Sequence, residues 1–144
     1  MRILVQRVHH AKCVVNEKVS GEINKGYVCF VGIRQDDTID NAQAMAIKIA
    51  HARLFEDEND KLNLNIQQVN GSILSISQFT LYADTKKGHR PSFDKAASAE
   101  NANDIYLAFN KYLRDYCKVE EGIFRAHMDI EVSNDGPVSI LYEN

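Results

Sequence analysis

The chain has no tryptophan, two prolines and three cysteines in 144 residues. Without tryptophan it lacks the largest stacking platform for single-stranded nucleic acid, and its six tyrosines and six phenylalanines are scattered rather than interleaved with basic residues. Pro91 and Pro137 are too few for a proline-rich linker. No repeat or Gly/Ser-rich segment divides the chain, so residues 1–144 read as one domain. Cys13, Cys29 and Cys117 are odd in number and far apart. With no Cys-x-x-Cys pair they offer neither a zinc ribbon nor a redox motif and read as reduced thiols. Long hydrophobic runs are also missing. The longest, Tyr27 to Ile33, falls far below the ~20 residues of a membrane span. The opening MRILVQRVHH breaks at Gln6 and Arg7, which excludes a secretory signal, so a cytoplasmic protein with no membrane partner is expected. Finally, there is no excess of positive charge. Seventeen Lys and Arg against twenty Asp and Glu give −3, which excludes the broad basic footprint of a DNA binder and leaves only a local patch for nucleic acid.

What is present is β-rich at both ends. RILVQRV and AKCVVN read as two strands, GEINKG as a turn, and YVCFVGI as a strand buried on both faces. A helix is expected from about Asp40 to Phe55, with Met45, Ile49 and Ala52 on one face beside Ala42 and Ala46. EDENDKLN reads as a polar loop and GSILSISQFTL as a strand. ADTKKGHRPSFDKAA is a long connection broken by Gly88 and Pro91. A second helix is expected from about Ala99 to Tyr116, capped by Ser98, with Ala102, Ile105, Tyr106, Phe109, Leu113 and Tyr116 as its buried stripe. MDIEVS and VSILY flank NDGP as a terminal hairpin. Terminal strands with two inserted helices make the class α+β.

Three features carry candidate chemistry. Ser77, Gln78 and Thr80 sit side by side in an apolar strand, although an unpaired buried polar group costs roughly 1–3 kcal/mol. Either the core satisfies them or they face a ligand. Lys86, Lys87, His89 and Arg90 form a basic cluster on a glycine-bearing loop; it is either a solvated loop or a contact for phosphates. Pro137 follows Gly136 where a last strand opens, so it belongs at a strand start or a bulge, as either an ordinary trans proline or a cis Gly-Pro. None of the five histidines lies in a motif with a nucleophile, Gly-x-Ser-x-Gly is absent, and no His/Glu spacing suggests a metal site. His51 reads as a surface or partly buried residue.

Ser77-Gln78-Phe79-Thr80 and Gly136-Pro137-Val138-Ser139, in this order and spacing, resemble the paired signatures Ser-Gln-Phe-Thr and Gly-Pro-Val-Thr of the D-aminoacyl-tRNA deacylases. MRILVQRV, ARLFEDENDKLN, SQFTLYADTKKGHRPSF and NDGPVSI extend the similarity over essentially the whole chain. The resemblance implies a β-barrel-like sheet, antiparallel or mixed, with two inserted helices. It also implies a cofactor-free and metal-free hydrolase that splits the ester between a D-amino acid, or mischarged glycine, and the 3′ end of tRNA. It implies a homodimer in which a cis Gly136-Pro137 acts in trans, its carbonyls holding the amino group and crowding out an L side chain. The catalytic residues would be Ser77, Gln78, Phe79 and Thr80, with the Phe79 and Thr80 N–H groups stabilising the oxyanion. Thr80 as a direct nucleophile is the alternative. Gly136, Pro137, Val138, Ser139, Met128 and Arg7 would bind substrate, Arg7 by holding the partner's Gly-Pro loop. Lys86, Lys87 and Arg90 would contact tRNA. Two positions depart from the family: Ser139 replaces threonine, and Arg125 stands where many members have glycine, which suits a backbone of positive φ. Arg125 is expected to alter the cavity rim or a tRNA contact.

Overall fold

The computed structural model describes residues 1–144. Its first strand, β1, runs unbroken from Arg2 to Val15, where two strands are expected. His9 and His10, which lie between the two expected strands, stay within β1, whose pairing with the last strand is irregular at Gln6/Val8 and Val8/His10. The turn that follows is Asn16-Glu17, both at positive φ (49° and 64°), in the two-residue loop favoured by twisted hairpins. GEINKG does hold the turn into YVCFVGI, but only at Asn24-Lys25. Gly21 to Ile23 belong to strand β2 (Lys18–Ile23), and only Asn24-Lys25 separate it from β3 (Gly26–Gly32).

From β3 the chain crosses over through α1 (Ile39–Ala50) and returns as β6 (Ser72–Ser77), parallel to β3. Thr38 and Asn41 cap α1 reciprocally, and His51 ends it well before Phe55. His51 is exposed. EDENDKLN is not a bare loop but the turn of a short hairpin, β4 (Phe55–Glu56) with β5 (Leu62–Leu64). The Asp57 carboxylate accepts the Asn59 and Lys61 N–H groups and the Asn63 amide, and the first of these is the main reason its pKa is lowered. A second crossover through α2 (Ala99–Leu113) leads to β7 (Lys118–Glu121), parallel to β6. Ser98 caps α2, and the helix stops at Leu113, short of Tyr116.

The last element, β8 (Asp129–Glu143), is one strand rather than a hairpin. Both halves lie antiparallel on the same edge of β1, with Val14 opposite Asp129 and Arg2 opposite Glu143. Asp135-Gly136-Pro137 is a bulge between them, a place where proline disrupts no ladder. The sheet order is β2-β1-β3-β6-β7 with β8 on β1. β2 curls back toward β7: a Cβ on Gly21 would lie 3.0 Å from the Glu121 carbonyl oxygen. The result is a nearly closed, barrel-like mixed sheet with two helices.

Both helices cover one face. Tyr27, Cys29 and Val31 of β3 meet Met45 and Ile49 of α1 and Ile105, Tyr106 and Phe109 of α2 in the larger core. The opposite face of β1, β3 and β6 (Val8, Cys13, Val28, Leu74, Ile76) packs with Met128, Ile130 and Val132 in a smaller one. No helix is long and apolar enough to cross a membrane.

Candidate active site at the carboxyl ends of β3 and β6

The polar residues of the β6 stretch sit where the strand ends. Ser77 is the last residue of β6, opposite Val31. Gln78 still donates its N–H to the Val31 carbonyl (2.8 Å), and then Phe79–Tyr82 coil into one 3₁₀ turn. Its bonds begin with the Leu81 N–H on the Gln78 carbonyl (3.2 Å) and the Ala83 N–H on Thr80 (3.0 Å). The leading N–H groups of such a turn, those of Phe79 and Thr80, have no carbonyl behind them within it. The carboxyl ends of parallel strands are where α/β sheets gather their ligand-binding loops.

A cavity of about 500 Å³ opens at this point. Ser77, Gln78 and Phe79 form part of its wall, and Val31 of β3 and Ile33 just past its end extend it. The Ala97 N–H bonds to the Ile33 carbonyl (3.0 Å), which brings the start of α2, with Ala99 and Ala102, onto another side. The segment between β7 and β8 closes it with Phe124, Arg125, His127 and Met128. Most of the lining is apolar, as in small-molecule sites. Met128 is both wall and core: its sulfur would lie 2.6 Å from a Cβ on Gly122. The Phe79 ring is 55% exposed and meets Phe93 edge-on at 5.0 Å.

The cavity lining holds one imidazole, His127, and no carboxylate. Thr80 is exposed on the turn, and its hydroxyl accepts from the Gln78 side-chain amide. His127 is exposed on the rim, 3.9 Å from Asp129. Behind the wall, Tyr106 donates its hydroxyl to the Ser75 carbonyl (2.8 Å), and burial pushes its phenol up to about 12. It therefore stays neutral at physiological pH. Burial pushes the Cys29 thiol far up and that of Cys117 up to about 11, so both are unreactive. Nowhere do three His, Cys, Asp or Glu side chains converge as metal ligands.

The second group of expected site residues lies elsewhere. None of Gly136, Pro137, Val138 and Ser139 lines the cavity. Gly136 and Pro137 are exposed on the β8 bulge and joined by a cis peptide. Arg7 does not lie on an exposed strand face, the alternative to its holding a partner's loop. It is 2% exposed and holds the loop of its own chain. Its Nε donates to the Asp135 carbonyl (3.2 Å), Nη1 to the Leu54 carbonyl (2.8 Å) and Nη2 to Glu56 (3.1 Å). A strand residue is buried here because β4 and the bulge fold over it. Lys86, Lys87, His89 and Arg90 are exposed on a loop pinched at its base by paired Asp84 and Ser92 backbone bonds. Arg125 has φ 64°, the left-handed position that suits glycine.

Sequence reasoning missed the wall residues from β3, α2 and residues 124–130, Met128 and Arg125 apart. Each segment reads locally as ordinary core, and only the fold brings them together.

The family model described as D-Tyr-tRNA(Tyr) deacylase matches residues 4–143. D-aminoacyl-tRNA deacylases from Staphylococcus epidermidis and Staphylococcus aureus are 55% and 54% identical to this chain, over all of it and 96% of theirs. Among solved structures, a c-Myc DNA unwinding element binding protein superposes with TM-score 0.93 at 34% identity, covering 100% of this chain and 99% of that one. A probable eukaryotic D-amino acid tRNA deacylase superposes with TM-score 0.85 at 15% identity over 98% and 97%. The chain belongs to the D-Tyr-tRNA(Tyr) deacylase family.

Proposed function

We propose that this protein hydrolyses the ester between a D-amino acid and the terminal adenosine of tRNA, and clears mischarged glycine by the same route. The observation that carries the reading is the end of β6. There Ser77-Gln78-Phe79-Thr80 leaves the sheet beside an apolar cavity, with the Phe79 and Thr80 N–H groups free of partners within the turn. Water attacks the ester carbonyl, and the two N–H groups stabilise the oxyanion. The carbon–oxygen bond to the ribose then breaks, and the ribose oxygen takes up the proton released by the water. An aminoacyl ester is already activated, and a substrate ribose hydroxyl can assist, so no protein base is required. A Thr80 nucleophile is disfavoured because its hydroxyl touches only the Gln78 amide and no base.

The Gly136–Ser139 segment stands on an exposed bulge, out of reach of its own cavity. That position supports a homodimer in which Gly136-Pro137 enters the second subunit's cavity, where its carbonyls hold the amino group and exclude an L side chain. Lys86, Lys87 and Arg90 then lie free to meet tRNA phosphates, in the cytoplasm. The net charge of −3 gives no support for carrying over the DNA binding named for the structural neighbour.

The experiment is incubation of the protein with D-tyrosyl-tRNA and a chelator, following intact ester against a buffer control. Accelerated loss is expected, with no inactivation by a Ser/Thr-directed acylating reagent. Loss at the buffer rate contradicts the activity, and stoichiometric acylation of Thr80 with inactivation contradicts the mechanism.

A further inference from the structure

Most arginines of this chain are committed. Arg2, Arg7, Arg34 and Arg114 pair with carboxylates, and Arg53 donates to the Asn63 carbonyl. Two are not, Arg90 on the basic loop and Arg125 on the cavity rim. Arg125 is exposed, lines the cavity, and takes part in none of the chain's ion pairs or side-chain hydrogen bonds. It also stands at a backbone position that disfavours it. The turn Ile123–Ala126 is closed by the Ala126 N–H on the Ile123 carbonyl (3.1 Å), and Arg125 is its third residue, with φ 64°. A left-handed backbone costs a non-glycine residue about 1–2 kcal/mol. A side chain that brings this cost and makes no ion pair or side-chain hydrogen bond within the chain is placed for something outside it.

The geometry points to Arg125 as a phosphate-binding residue of the cavity mouth, gripping the phosphodiester next to the terminal nucleotide of the RNA end. This inference rests on the proposed function, which supplies the RNA. A guanidinium is a planar donor fork that matches phosphate oxygens in pairs. The apolar cavity behind it is lined by no lysine, no carboxylate and no second arginine, so the nucleoside enters an apolar space and its phosphate stays at the rim. The carboxylates nearest in sequence, Glu121 and Asp129, are turned to Arg114 and toward His127.

The test is binding rather than turnover. A fluorescent short RNA with the tRNA 3′ sequence is titrated onto the wild-type protein, R125Q, R125G and R125K at several salt concentrations. R125Q and R125G are expected to weaken binding on the order of tenfold and to flatten the log–log salt dependence by about 0.7. R125K, which keeps the charge, is expected to retain the slope. Unchanged affinity and slope in R125Q would overturn the inference, as would equal losses in R125Q and R125K or no RNA binding by the wild type. A wild-type protein whose RNA binding depends on Arg125 but which hydrolyses no D-aminoacyl ester would support this inference and sink the proposed function alone.

Discussion

At Phe79 the backbone and the side chain have separable roles. The residue opens the 3₁₀ turn, a first-turn position where proline is tolerated, and it follows Gln78 at φ −143° and ψ 78°, outside the helical region that a following proline disfavours. Phe79→Pro therefore keeps the turn and deletes one oxyanion donor. Its kcat is expected to fall ~10²–10³-fold below that of Phe79→Ala, which keeps the N–H. Equal rates in single-turnover assays would remove the backbone from the mechanism. Tyr106 allows a separate check on the wall behind the site. Its phenol stands at about 12 against an ordinary 10.0. The folded state thus holds this proton more tightly than the unfolded one, so the contribution is complete below pH 10 and is lost between pH 10 and 12. It is on the order of 2–3 kcal/mol. Denaturant midpoints should fall across that window, after an earlier decline from pH 9 as Cys29 and Cys117 ionise in the unfolded chain. Tyr106→Phe should make the pH 10–12 step smaller. A wild-type midpoint that stays flat to pH 12 would contradict the burial argument.

Among the elements, β8 shows how far sequence signals reach. Asp135-Gly136 is a good turn signal, yet the chain does not turn back there. What overrides it is Arg7, a residue 128 positions away that clamps Asp135 and holds both halves of the strand on one edge. Local pattern cannot register such a contact. The same holds for β7, whose polar sequence Lys-Val-Glu-Glu gives no strand signal and is recruited by pairing with β6. By contrast, α1 and α2 are legible from their apolar periodicity and caps, apart from frayed ends, because those signals are local. The Arg7 clamp predicts that Arg7→Ala, which leaves the buried Leu54 carbonyl without its donor and releases Asp135 and Glu56, destabilises the fold by roughly 1–3 kcal/mol. Arg7→Lys should recover only part of this, since ammonium cannot span the Leu54, Glu56 and Asp135 acceptors. Equal stability of Arg7→Ala and wild type in urea melts would show the clamp to be idle.

On the scale of the whole molecule, the signature residues separate into two regions, a cavity at the end of β6 and a bulge on β8. The motifs were readable in the sequence; their separation was not, because it depends on β8 lying on the outer edge of β1 and on the parallel crossover through α1 that carries β6 to the far side of β3. β8 pairs only with β1 and leaves its other edge open, an edge that proteins normally cover or pair. Sedimentation is therefore expected to give twice the 16.3 kDa of one chain. A monomer at micromolar concentration would remove the cross-subunit role of Gly136-Pro137. Chirality tests the account most directly. The measurement is the ratio of deacylation rates on matched D-tyrosyl-tRNA and L-tyrosyl-tRNA under one set of conditions. The account predicts rapid loss of the D ester with the L ester decaying at its uncatalysed rate; comparable acceleration of both would contradict it.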